Sequence, residues 1–90
     1  MGRLEAFALP GFSLWFNSHD HLPPHFHAES DQGEARVFFL REPPELELKW
    51  GTLPRAKARA ALLAHACGFR LQLLEEWEAK VVVAGPGGEK

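Results

Sequence analysis

Ninety residues make one domain with a modest core, one that buries about 60–65% of the surface its unfolded chain would expose. An apolar content of 46% excludes a disordered chain, and a formal charge of −2 excludes the broad basic field of a non-specific nucleic-acid binder. A single cysteine, Cys67, excludes an internal disulfide, and no apolar run reaches the ~18 residues of a membrane span.

The first half of the chain reads as short strands. Residues 1–17 lack the charged start, apolar run and small-residue cleavage site of a secretory signal, so a cytoplasmic location is expected, with no membrane partner. In "GFSLWFN", Phe12, Leu14 and Phe16 alternate with Ser13, Trp15 and Asn17, the period of a half-buried strand. "SHDHLPPHFHAES" then holds four of the five histidines, His19, His21, His25 and His27, around Pro23 and Pro24. Its end places Phe26 and Ala28 on one strand face. His25, His27 and Glu29 share the other, because side chains at i, i+2 and i+4 project the same way. "DQG" is a turn signal. "EARVFFL" sets Ala35, Val37 and Phe39 against Arg36, Phe38 and Leu40. After the break at "REPPE", "ELELKW" points Leu46, Leu48 and Trp50 inward and Glu45, Glu47 and Lys49 outward.

From Pro54 the period changes. Ala60, Leu63, Cys67, Leu71, Leu74, Trp77 and Val81 recur at the spacing of a buried helix stripe, with Leu62, Ala66, Phe69 and Leu73 as a second stripe beside it. Pro54 suits a first turn, where its missing N–H has no helical partner. Gly68 can bend or split the helix. Cys67, in this apolar stretch, is read as a buried thiol rather than a nucleophile. The predicted fold is α+β: a small antiparallel meander of about four strands packed against a C-terminal helix, one domain over residues 1–84 with a flexible tail over 85–90. The helix would cover Phe12, Leu14, Phe16, Phe26, Ala28, Val37, Phe39, Leu46 and Leu48. The far face would carry Trp15, His25, His27, Glu29, Arg36 and Phe38, as a working surface or a subunit interface.

Three chemistries fit the histidine run. The first is a metal site. His25 and His27 stand about 6.5–7 Å apart along one strand face, and His21 could return across the proline turn as a third ligand. Neutral imidazoles suit a divalent transition metal such as zinc, nickel, copper or iron, with Glu29 as ligand or orienting group. The second is acid–base catalysis, with His25 and His27 as proton donor and acceptor and Arg36 as anion clamp. The third is structural, with the rings hydrogen-bonded to backbone carbonyls. His65 is expected at the edge of the core or on the surface. At the helix start, Arg55, Lys57 and Arg59 oppose the helix dipole, as do Glu75, Glu76 and Glu78 at its end. Bare N–H groups with Arg55 and Arg59 would make an anion site.

"DHLPPHFH" (Asp20 to His27), "EAR" (Glu34 to Arg36), "GTLP" (Gly51 to Pro54) and "LLEEWE" (Leu73 to Glu78) together resemble a small bacterial family known as domain of unknown function 4160. Carried onto this chain, the family's histidines are His21, His25 and His27. Its members are often encoded beside another small domain, an arrangement similar to toxin–antitoxin pairs. The resemblance therefore implies a toxin–antitoxin-like component that acts through the His21, His25 and His27 surface. It would bind a partner protein and RNA, with any activity ribonuclease-like. The rival expectations are a metal-binding module using the same histidines and a homodimerising structural domain without a site.

Overall fold

The structure, a computed structural model, describes residues 2–83. Strands β2 (Ser13–Phe16), β4 (Phe26–Ser30), β5 (Gly33–Phe38) and β6 (Glu45–Gly51) form the expected antiparallel meander. A fifth strand, β1 (Gly2–Arg3), extends it, giving the order β1-β2-β4-β5-β6. Helices α1 (Ala56–Gly68) and α2 (Arg70–Lys80) follow. A separate parallel pair joins β3 (His19–Asp20) to β7 (Val82–Val83). The class is α+β as the alternation and the helical period indicate. The additional edge strand comes from residues too few to show a period. The expected tail over 85–90 lies outside the described residues. No helix among the described residues is long and apolar enough to cross a membrane.

The alternating residues of β2, β4 and β5 supply the core. Phe16, Phe26, Val37 and Phe39 are fully covered, and Leu14 and Ala28 nearly so. Each such large side chain contributes roughly 1.5–3 kcal/mol by leaving water. Leu4 and Phe7, from the segment after β1, complete the cluster. Phe12 and Leu46 pack only at its margin, and Leu48 is 40% exposed, so the helices cover a smaller patch than the alternation implies.

The helix divides beside Gly68, where Phe69 (φ −107°, ψ 22°) links α1 to α2. Its buried residues are Leu62, Ala66, Leu73, Trp77 and Val81, with Phe69 packed against them. On α1 this is the second stripe. Most of the first turns outward there: Ala60 and Cys67 are exposed, as is Leu71 just after the break, while Leu63 packs at the margin of the core. Adjacent stripes differ by a small rotation about the helix axis, and a sheet accepts only one of them. Phe7, stacked on Phe69 with centroids 5.5 Å apart, fixes which. The Cys67 thiol is exposed, which corrects its reading as a core residue.

A bulge separates β5 and β6. Ala35 pairs with Leu48 but Glu34 pairs with Trp50, so Lys49 is an extra residue. The bulge reverses the expected inward direction of Trp50, whose Nε1–H donates to Glu34 Oε1 at 3.3 Å. Just beyond, Gly51 has φ +81°, and a Cβ there would strike the Gln32 carbonyl oxygen. That is the physical reason for the glycine that opens "GTLP".

Candidate metal centre

The far face of the sheet holds the chemistry. His27 is the second residue of β4 and lies opposite Arg36 in β5, so their side chains neighbour one another. His25, two residues earlier, projects to the same face. Both rings are buried, His25 to 4% and His27 to 1% exposure. Trp15 stacks on His27 with centroids 5.4 Å apart, and Phe38 and Trp77 flank His25 at 5.1 and 5.8 Å. Trp77 is the reason α2 matters to the site: it packs on core Phe16 and reaches His25 as well.

Asp20 ends β3, and the pairing of β3 with β7 anchors the backbone there. Its Oδ1 accepts the His21 backbone N–H at 3.0 Å, which turns Oδ2 toward the two rings. Oδ2 lies 3.1 Å from His25 Nε2 and 2.9 Å from His27 Nε2. The other ring nitrogens are committed. His25 Nδ1 is 2.9 Å from the Pro23 carbonyl oxygen, which can only accept, so Nδ1 bears the proton. His27 Nδ1 is 3.0 Å from Glu34 Oε2, and that carboxylate is also approached by Lys49 Nζ at 3.4 Å and by the Trp50 indole. Asn17 completes the arrangement. The Trp15 indole donates to its Oδ1 at 3.0 Å, which fixes the amide and sets Nδ2 3.0 Å from His27 Nε2.

Electrostatics sharpen the picture. Burial alone would raise the Asp20 pKa, but the hydrogen bonds from His27 and the His21 N–H, with the nearby His25 and His27 charges, hold it below its ordinary value. Glu34 is likewise lowered: its burial acts upward and is outweighed by His27, Lys49 and Trp50. Burial pushes the His25 pKa down, past the opposing effects of the Pro23 carbonyl and Asp20. At neutral pH an ionised carboxylate thus faces the lone pair of a neutral imidazole at 3.1 Å. Two acceptors so placed could hold a cation between them. Asp20, His25 and His27 each offer one ligand atom, all within 4.8 Å of one another. Two imidazoles and a carboxylate form a donor set that divalent transition metals accept. Their backing by Glu34 and the Pro23 carbonyl is the orienting support metal-bound histidines have.

The sequence-derived site residues are distributed as follows. His25 and His27 converge. The His21 ring is exposed and stands outside the ligand cluster, to which the residue contributes its backbone N–H through Asp20; Asp20 supplies the third ligand atom. Arg36 lines the cavity in front of the site, with Nη1 3.4 Å from Glu47 Oε1. Glu29 borders a different cavity, beside Arg3 and Phe12. Arg55 is the exposed N-cap of α1, and Arg59 turns Nη1 back to the Pro54 carbonyl at 3.0 Å, so neither joins the histidines. His65 donates from Nδ1 to the Ala61 carbonyl at 2.8 Å and packs against both Phe7 and Phe69, a core-edge residue as expected. The spacing of imidazoles alone passed over Asp20, Asn17 and Glu34. The signal that could have found Asp20 is its place at the head of "DHLPPHFH"; Glu34 shares the period-two face of Arg36 and Phe38.

The fold and site thus define a small antiparallel-sheet protein with a buried two-histidine, one-carboxylate cluster. The chain belongs to the family described as Domain of unknown function (DUF4160), which it matches over residues 11–78. That span contains every residue of the cluster and the side chains that support it, while β7, which pairs with β3, lies beyond it. No curated protein and no solved structure matches the chain.

Proposed function

We propose that this protein binds one divalent transition-metal ion through Asp20 Oδ2, His25 Nε2 and His27 Nε2. The observation that supports this best is the convergence of His25 Nε2 and His27 Nε2 on one Asp20 oxygen, at 3.1 and 2.9 Å, while both Nδ1 atoms are held by fixed partners of their own. A structural role for the histidines would be satisfied by the Nδ1 bonds alone. It would give no reason for both Nε2 atoms to converge on one part-buried carboxylate, because burying charge gives little net stability over an apolar patch of equal volume. The Asn17 amide competes for the His27 lone pair, so it tunes affinity rather than supplying a ligand.

Metal analysis of protein purified without a histidine tag tests the reading. One zinc, nickel, copper or iron ion per chain is expected. It is lost in the His25→Ala/His27→Ala variant while circular dichroism still reports a folded chain. Wild-type protein that takes up none of these ions on titration, or a folded double variant that keeps one, overturns the proposal.

A second reading, a component that acts with a partner protein in a toxin–antitoxin-like pair, draws support from a separate observation. Leu48, Trp50 and Leu53, on and just after edge strand β6, are 40%, 47% and 47% exposed. Expression of this gene alone should then arrest growth and the neighbouring gene should relieve it; unaffected growth counts against the pair.

A further inference from the structure

The cavity in front of the cluster encloses about 280 Å³ and is lined by Asp20, His25 and His27 together with Arg36, Arg41 and Lys49. A volume at the low end of small-molecule sites admits a compact ligand. The charge of the lining indicates its sign. Among the described residues Asp20 is the sole carboxylate on the wall, against three permanent cations. A divalent ion held by Asp20 uses up that carboxylate, and the acidic partners of the cations, Glu47, Glu45 and Glu34, are not among the lining residues.

Each cation stands one contact from a metal ligand. Arg36 is the cross-strand neighbour of His27. Arg41 lies over the Phe38 ring, Cζ 4.1 Å from its centroid, and Phe38 in turn packs on His25. Lys49, placed here by the β-bulge, reaches Glu34, which holds His27 Nδ1. The present partners of the two arginines are weak. Arg36 meets Glu47 at 3.4 Å and Arg41 meets Glu45 at 2.6 Å, with all four side chains between 38% and 60% exposed. Exposed pairs of this kind contribute about 0–1 kcal/mol. A ligand that offers several charged oxygens to a metal and to two guanidinium forks at once exceeds that.

On the footing of the metal centre proposed above, we infer that this cavity binds a phosphate group, as inorganic phosphate or the phosphate of a small ester, one oxygen on the metal and others on Arg36 and Arg41. A tetrahedral dianion matches the arrangement: its oxygens can meet an ion and two guanidinium groups separately, whereas a carboxylate must divide two oxygens among the three. The small volume and the chain's net charge of −2 favour a free small phosphate over a polyanionic backbone.

The test uses Co²⁺ as a visible reporter of its own coordination. Wild-type protein and the Arg36→Gln/Arg41→Gln variant are each loaded with Co²⁺, then titrated with inorganic phosphate, a mononucleotide and a single-stranded oligonucleotide. Phosphate and the mononucleotide should shift the Co²⁺ bands of wild type. The variant should bind Co²⁺ with unchanged stoichiometry and affinity but hold phosphate about tenfold or more weakly. Co²⁺ uptake with bands indifferent to phosphate overturns this inference and leaves the metal centre standing. Equal phosphate affinity in the variant overturns the role of the arginines, and with it the inference. Response to the oligonucleotide alone overturns the small-phosphate assignment. Failure of wild type to bind Co²⁺ removes this inference, and failure to take zinc, nickel, copper or iron removes the metal centre beneath it.

Discussion

Both faces of this sheet are buried at their centre, by different physics. Beneath the helices, Phe16, Phe26, Val37 and Phe39 are excluded from water with no polar atom to satisfy. On the opposite face His25 and His27 are covered almost as completely, yet each ring meets a named partner at both nitrogens. The apolar face needs the right volume and little else; neighbouring side chains can repack around a change. The polar face needs the right atoms. A single partner removed strands a buried donor or acceptor, and the lost interaction is directional. The first face therefore answers to stability measurements, and the second to measurements of protonation and ligand binding.

Substitutions can break that contrast or sharpen it. The largest effect is expected in the core: Phe26→Ala should lower unfolding free energy by about 3–5 kcal/mol in urea titration. It should do so without altering the stoichiometry of metal uptake by the fraction that stays folded. Glu34→Ala comes next. It strands the His27 Nδ1–H and removes the partner of Lys49 and Trp50, so a loss of about 1–3 kcal/mol is expected. Unlike the core variant it should also weaken metal binding, by about 10–100-fold, because it frees the orientation of a ligand ring. A Glu34→Ala protein with wild-type metal affinity would erase the distinction between the faces.

Acidity acts on the polar face. His25 has a lowered pKa, so below the ordinary histidine value of about 6.5 the unfolded chain takes up its proton first and stability falls. Asp20 and Glu34 also have lowered pKa values. Their contribution is present above the ordinary carboxylate range and is lost as pH drops through their folded values. All three act in one direction, so the melting temperature of the metal-free protein should decline in two stages on acidification, the first below about pH 6.5. A flat profile between neutrality and the carboxylate range would contradict the burial of a neutral His25. The smallest effect belongs to neither face. Cys67 is exposed on α1, and Cys67→Ser should change stability by no more than about 0.5 kcal/mol. The same substitution in a core thiol would cost far more.

The sequence made the strands legible wherever period two ran for several residues, as in Phe12 to Asn17 and Ala35 to Leu40, and the division of the two faces followed from it. It also made the helical segment and its break at Gly68 legible. Other features were hidden for definite reasons. Two-residue strands such as β1 and β3 are too short to show a period. The Lys49 bulge reverses the face of Trp50, and nothing in "ELELKW" announces an extra residue. Two adjacent helical stripes compete for one sheet, and the winner is chosen by Leu4, Phe7 and the strand aromatics, which are distant in sequence. His25 and His27 were readable as a pair because a strand fixes their common direction. The third ligand atom was not, because it lies across a proline turn that has no period, and because β3 is held by β7 from the far end of the chain. The imidazoles drew notice to His21, one residue from Asp20, whose carboxylate faces the rings.

A metal titration run in parallel on Asp20→Ala and His21→Ala tests this placement most directly. If Asp20 is the ligand, its removal should weaken binding by about tenfold or more, while His21→Ala binds like the wild type. The reverse pattern, with affinity lost on removing the His21 ring and kept without the Asp20 carboxylate, would contradict the site.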